Sequence, residues 1–212
     1  MTPLVLLAAL AQNACSAQEP APLAAPTEQG CIPPAANWRQ RATEPDRERL
    51  RDWRDAWLEA LDSARAGGHA AELASEGALL DPDAALERPA PPPGDYACRV
   101  VKVGARRPSN LAFVAYPAFR CRIAAAGDLL TFAKLTGSQR PMGRLYDDNE
   151  LRLVFLGTVQ LGDERRAYRY GVDPDRDMAG FLERIGEQRW RLVLPRPAYE
   201  SLLDVIELTP AR

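Results

Sequence analysis

The residues best suited to bind a ligand lie in one short stretch of the chain, residues 134–141. It gathers an ammonium, a guanidinium, two hydroxyls and an amide around a turn (Lys134, Arg140, Thr136, Ser138 and Gln139). Backbone N–H groups beside the glycine of this turn add the donors of an anion-binding nest. We therefore predict a site for a carboxylate or phosphate formed by Lys134 and Arg140. Arg120 or Arg122 would support this site if the chain folds as a barrel. The alternative is a polar hairpin end whose side chains are bound by its own backbone.

The common catalytic and metal-binding sets are missing from the sequence. His69 is the one histidine, so any Ser-His-Asp or Cys-His mechanism would have to use it. Residues 173–177 space three carboxylates like the start of a calcium loop, but Met178 and Arg184 stand where that loop needs glycine and glutamate. One histidine and four scattered cysteines argue against zinc. We expect a protein that is not an enzyme and that uses no metal and no cofactor.

Two cysteines stand in similar surroundings, in Tyr96–Val100 and in Phe119–Ile123. Each segment has an aromatic residue, then Cys-Arg, then a β-branched residue, and this alternation is typical of half-buried strands. We predict a cross-strand disulfide between Cys98 and Cys121, which would stabilise the fold by roughly 3 kcal/mol on the chain-entropy model. The alternative is a pair of buried thiols. The partner of Cys31 stays open.

The N-terminal residues predict export. Residues 1–11 form an apolar run that is shorter than the ~20 residues of a membrane span but has the length of a signal-peptide core. We predict a signal peptide over residues 1–17 and a Pro/Ala-rich tether over 18–36. Cys15 is either removed with the signal or lipidated, although the residues before it match a lipobox poorly. The expected location is periplasmic or secreted; the alternative is a cytosolic chain with a disordered N-terminus.

Residues 37–88 have helical periodicity. Thr43, Pro45 and Asp46 form a helix start signal. One apolar stripe then follows at spacings of three and four residues, which predicts a helix from about Glu44 to Ala66 with a buried face (Leu50, Trp53, Trp57, Leu61 and Ala64). A shorter helix is expected from His69 to Glu76, and a proline-rich linker follows it.

Residues 95–209 change to a period of two. Apolar and polar residues alternate in segments such as 119–123, 151–161 and 189–194, and glycine- or aspartate-containing turns separate these segments. This indicates about eight strands in a meandering antiparallel unit. The predicted fold is α+β, mainly β: a small antiparallel β-barrel with an N-terminal helical pair packed on it. A β-sandwich is the alternative.

Several short motifs resemble an uncharacterised bacterial family, domain of unknown function 4893. The resemblance covers roughly residues 37–209 and is carried by segments in both halves (among them 66–69, 79–82, 96–99, 116–121, 132–141, 155–158 and 190–195). It implies an exported bacterial domain without a known activity. No functional residue is therefore carried over from the family.

Composition limits the classes of partner. The net charge of −2 provides no overall field that would favour nucleic acid or an anionic membrane. We expect a non-catalytic binding or structural protein of the cell envelope, whose partner is an envelope protein or a small ligand. It would reach a membrane only through a lipid anchor at Cys15. The alternative function is a barrel that binds a small apolar or anionic ligand in its mouth.

Overall fold

The computed structural model describes residues 37–162 and 164–211. The predicted signal peptide, the tether, Cys15 and Cys31 lie outside this part of the chain. No helix within it is long and apolar enough to cross a membrane.

Four α-helices precede the strands in the described residues: α1 (Trp38–Arg41), α2 (Glu44–Arg51), α3 (Trp53–Ala66) and α4 (Ala70–Glu76). One turn of 3-10 helix (Gly77–Leu79) follows α4. The Thr43 side chain caps α2 by accepting the Asp46 N–H, as its start signal predicts. The single helix expected from Glu44 to Ala66 is instead two helices that meet at Asp52, which ends α2 and precedes α3. This break lets α2 pack against one strand of the sheet while α3 packs against others.

Nine antiparallel strands follow in the described residues: β1 (Gly94–Ala105), β2 (Phe113–Ala115), β3 (Phe119–Ala126), β4 (Leu129–Lys134), β5 (Gln139–Asn149), β6 (Arg152–Leu161), β7 (Asp177–Gly186), β8 (Arg189–Pro195) and β9 (Ser201–Pro210). Each strand from β3 to β8 pairs with the next one along the chain. β1 pairs with β3 through its first half and with β9 along most of its length, for example Val101 opposite Val205. The result is a closed eight-stranded barrel with β2 as an extra strand on β1. The predicted barrel is confirmed, and the sandwich is not the fold.

The helices cover one side of the barrel wall. Trp57 is fully buried between α3 and the outward-facing residues of β1, β8 and β9. Leu50 and Leu61 are also buried, as predicted, whereas Trp53 is half-buried and meets Trp57 and Phe181 edge to face. The apolar stripe is therefore core, as its periodicity predicts.

A buried ion pair fastens this helical cover to the wall. Arg191 on β8 is fully buried and donates to the Glu183 carboxylate on β7 at 2.8 Å. The same guanidinium donates to three backbone carbonyls that follow α4 (Ala78, Leu79 and Asp81) and lies 4.7 Å from the centre of the Trp57 ring. Arg191 thus has permanent partners on both the strands and the helical segment.

The predicted disulfide is formed inside the barrel. Cys98 on β1 and Cys121 on β3 have Cα atoms 5.8 Å apart, within the range that a disulfide spans. Both residues belong to the interior cluster of the barrel. They therefore join two neighbouring strands from within.

Candidate functional site

One end of the barrel, which we call the mouth, opens into a cavity of about 350 Å³. The mouth lies where β1, β4, β6 and β8 end and where β3, β5, β7 and β9 begin. Strand residues provide apolar walls to the cavity (Val100, Phe119, Pro141, Val159, Met178 and Ile206). Its size and walls are those of a small-molecule site.

The other half of the barrel interior is filled by side chains. Tyr96 and Trp190 meet edge to face there, with ring centres 6.0 Å apart. Leu192 and Leu208 belong to the same interior cluster as these rings. The Cys98–Cys121 disulfide is also part of this cluster and borders the cavity, because Cys121 stands opposite Lys134 in the sheet. The cavity is consequently a blind pocket that a ligand would enter from the mouth.

The chain has two lysines, Lys102 and Lys134, and both line this cavity. Lys102 stands on β1 directly opposite Asp204 on β9. Its Nζ lies 2.9 Å from Asp204 Oδ2 and 3.3 Å from Glu200 Oε2. Burial by itself would lower the pKa of Lys102, but the two carboxylates outweigh that effect and raise the pKa. Lys102 is therefore stabilised in its positively charged form.

Lys134, at the end of β4, has different partners. Its Nζ donates to the backbone carbonyls of Thr136 and Gln139, both at 2.9 Å, and lies 3.6 Å from the centre of the Phe119 ring. No described carboxylate lies within ion-pair distance of it. Burial, together with the charges of Arg140 and Lys102, lowers the pKa of Lys134 to about 8. The positive charge of Lys134 is thus stabilised only by the two carbonyl dipoles and the face of the Phe119 ring.

The four predicted site residues do not form one cluster. Arg140 donates to the carbonyls of Gly137 and Gly162 at 2.8 and 2.9 Å, and so ties the β4–β5 turn to the end of β6. Arg120 and Arg122 alternate with the inward-facing cysteine of β3 and are exposed on the outer face of the wall. Arg122 pairs there with Asp95 at 2.6 Å.

Of the predicted set, only Lys134 lines the cavity. Lys134 and Arg140 share one turn, and their hydrogen bonds to its backbone are those of the polar hairpin end that the sequence offered as an alternative. Whether either residue binds an anion stays a prediction.

Sequence reasoning missed Lys102, Asp204 and Glu200. The first two carried a signal: each is a single charged residue within an apolar strand, in Val100–Val103 and Leu203–Ile206. A lysine and an aspartate in such positions suggest a pair buried between two strands. Glu200 lies in a connection between strands, and no pattern marks it.

The segment between β8 and β9, residues 196–200, forms part of the cavity rim. Arg196 and Glu200 both have positive φ values, 47° and 64°, which non-glycine residues adopt at a cost and mostly at constrained or functional positions. The Glu200 carbonyl accepts the N–H of Arg106 at 3.0 Å and the side-chain amide of Asn110 at 2.6 Å. The backbone of Glu200 is therefore held, whereas its side chain is 53% exposed.

Two further carboxylates line the cavity at the start of β7. Asp177 is buried and accepts the Gly171 N–H at 2.9 Å, and burial raises the pKa of its carboxyl group. Asp175 is exposed. The cavity thus has acidic residues at the start of β7 and its two lysines on β1 and β4.

Fold and cavity together define a closed antiparallel β-barrel with a blind, partly charged pocket at one end. The chain belongs to the family described as domain of unknown function DUF4893, whose model matches residues 38–208. The resemblance found in the sequence motifs is thereby confirmed. No curated protein and no solved structure matches the chain.

Proposed function

We propose that this protein is a non-catalytic binding protein of the bacterial cell envelope whose barrel holds a small anion with an apolar body. One observation carries the proposal: both lysines of the chain line a single cavity whose strand walls are apolar. An apolar body would bury surface against those walls. An anionic group would find the positive charge of Lys134, which no described carboxylate neutralises.

Charge placement supports an anion over a neutral ligand. Lys134 is buried, so its field in the cavity is screened less than that of a surface lysine. Burial and then the charges of Arg140 and Lys102 lower the pKa of Lys134, so a negative group beside this lysine would be favourable. The carboxylates at the start of β7 oppose this effect, so the anionic group belongs on the lysine side of the cavity.

The proposed location is the periplasm or the outside of the cell. The Cys98–Cys121 disulfide is compatible with an oxidising compartment, where such bonds persist. Within this proposal, Cys15 is either removed with the signal peptide or carries a lipid anchor. Intact mass measurement on protein from the periplasmic and membrane fractions of a bacterial host would report cleavage, a lipid or neither.

Calorimetry with matched probes tests the binding proposal. Octanoate and 1-octanol share an apolar tail and differ in charge. Since a hydrogen bond or ion pair to a charged group contributes ~1.5 kcal/mol or more, we expect octanoate to bind roughly tenfold more tightly than octanol. Lys134→Met should remove most of this preference.

Two control variants make the result specific. Arg140→Met also frees carbonyls of the β4–β5 turn, but Arg140 does not line the cavity; Arg122→Met removes a charge from the outer face. Both should keep the preference for octanoate. Equal affinity for the two probes would contradict an anion site. Equal losses in Arg140→Met and Lys134→Met would show that the turn, and not the ammonium, determines binding.

A further inference from the structure

Lys102 has two carboxylate partners that differ in permanence. The Asp204 side chain is 9% exposed, lies directly opposite Lys102 in the sheet and also accepts a hydrogen bond from the Ser201 hydroxyl. The Glu200 side chain is 53% exposed and lies at the longer distance of 3.3 Å. Asp204 is a fixed partner, whereas Glu200 is a partner that solvent already reaches.

One of these carboxylates suffices to balance Lys102. The second adds a negative charge to the cavity that Lys134 also lines. Lys102, Lys134, Asp204 and Glu200 therefore sum to zero charge only while Glu200 is in place. An incoming anion that took the position of Glu200 would preserve this balance. A neutral or cationic group in that position would not.

The backbone around Glu200 allows such an exchange without a loop movement. Its carbonyl is fixed by Arg106 and Asn110, and its φ of 64° is a constrained conformation. Only the side-chain torsions of Glu200 need to change for the carboxylate to turn away from Lys102 into solvent. Glu200 also lines a second, adjacent cavity of about 270 Å³ together with Arg106 and Arg107. That cavity gives the displaced carboxylate a place among basic residues.

We propose that Glu200 occupies the position of the ligand's anionic group on Lys102, and that an amphipathic carboxylate binds by displacing it. This inference rests on the proposed function and adds the contact and the specificity determinant. In this proposal Lys102 pairs with the ligand carboxylate, and the positive charge of Lys134 attracts it electrostatically. Glu200 disfavours ligands that bring no negative charge to replace its own.

Octanoate and octylammonium binding to Glu200→Gln tests the proposal. Removal of the competing charge should tighten octanoate binding by roughly fivefold, the equivalent of one partly exposed ion pair, and should weaken octylammonium binding. A general change in cavity shape would move both affinities in the same direction. Lys102→Met in the Glu200→Gln background should abolish the gain for octanoate.

Glu187→Gln is the matched control, because it removes the same charge from an exposed turn at the closed end of the barrel. It should leave both affinities unchanged. If octanoate binds the wild type but Glu200→Gln binds it no more tightly than Glu187→Gln does, the exchange is wrong and the proposed function stands. If octanoate binds none of these proteins, the anion site itself is wrong and the exchange falls with it.

Discussion

The outer wall beneath the helices and the mouth of the barrel both bury cations, but they give them different partners. Arg191 on the outer wall has a carboxylate, three backbone carbonyls and an aromatic ring around it, and all of them belong to packed elements. Of the two carboxylates that pair with Lys102 in the mouth, that of Glu200 is partly exposed to solvent. Lys134 beside Lys102 has no described carboxylate at all.

This difference separates structural from functional burial of charge. A cation whose partners all belong to packed elements joins those elements together, and it is not available to bind a ligand. A cation with an exchangeable partner contributes less to stability and can bind an outside group. On this criterion the mouth is the candidate site and the Arg191 cluster is not, although Arg191 is the more deeply buried.

The largest expected effect is on the outer wall. Arg191→Met leaves the Glu183 carboxylate buried without its cation, and breaking such a pair typically costs about 3–5 kcal/mol. Urea unfolding would measure this loss. Arg189→Met on the same strand, which breaks a more exposed pair with Glu207, should cost much less. A loss of only about 1 kcal/mol for Arg191→Met, the value of a surface pair, would contradict the comparison.

The second effect concerns the disulfide inside the barrel. Replacing both Cys98 and Cys121 by alanine should destabilise the fold by about 3 kcal/mol, because the disulfide closes a loop of 23 residues. The variant should still bind octanoate, since neither cysteine lines the cavity, although Cys121 stands opposite Lys134 in the sheet. Thermal unfolding and calorimetry on the same sample would measure both properties. A loss of binding in a folded variant would show that the disulfide holds the neighbouring cavity wall in place.

The smallest effect is a pH dependence that originates in the mouth. The pKa of Lys134 falls from its ordinary value of 10.5 to about 8 in the folded chain. The unfolded chain therefore binds more protons between these pH values, so this residue adds stability as the pH rises from 8 towards 10.5. The free energy of unfolding of the wild type, minus that of Lys134→Met, should increase from pH 7.5 to pH 9.5. A flat or falling difference would mean that the pKa is not lowered.

The sequence predicted the barrel because its evidence is local. Alternation along each strand gives the period, and the repeated context of Cys98 and Cys121 is enough to give one correct strand pairing. The break at Asp52 escaped prediction because the apolar spacing of three and four residues continues through it. Helical periodicity reports which residues are buried and does not report a change of direction.

The site was predicted less well because it depends on barrel closure. Lys102 and Asp204 are neighbours only because β1 pairs with β9, a contact that no local pattern specifies. Arg120 and Arg122 were predicted to support the site of Lys134, but their side chains lie on the outer face of the wall. The alternation of residues along β3 could have indicated this. The two arginines flank a cysteine that faces inward, and residues on either side of an inward-facing residue face outward.

The pairing of β1 with β9 also imposes an order on folding. The two strands that close the barrel are its first and its last, so every shorter length of chain leaves β1 with an open edge. The strands that carry Cys98 and Cys121 are by contrast near neighbours along the chain and can be joined early. During folding the disulfide can therefore hold β1 against β3 before the other edge of β1 pairs with β9. Closure is the late step, with the slow kinetics that distant contacts impose.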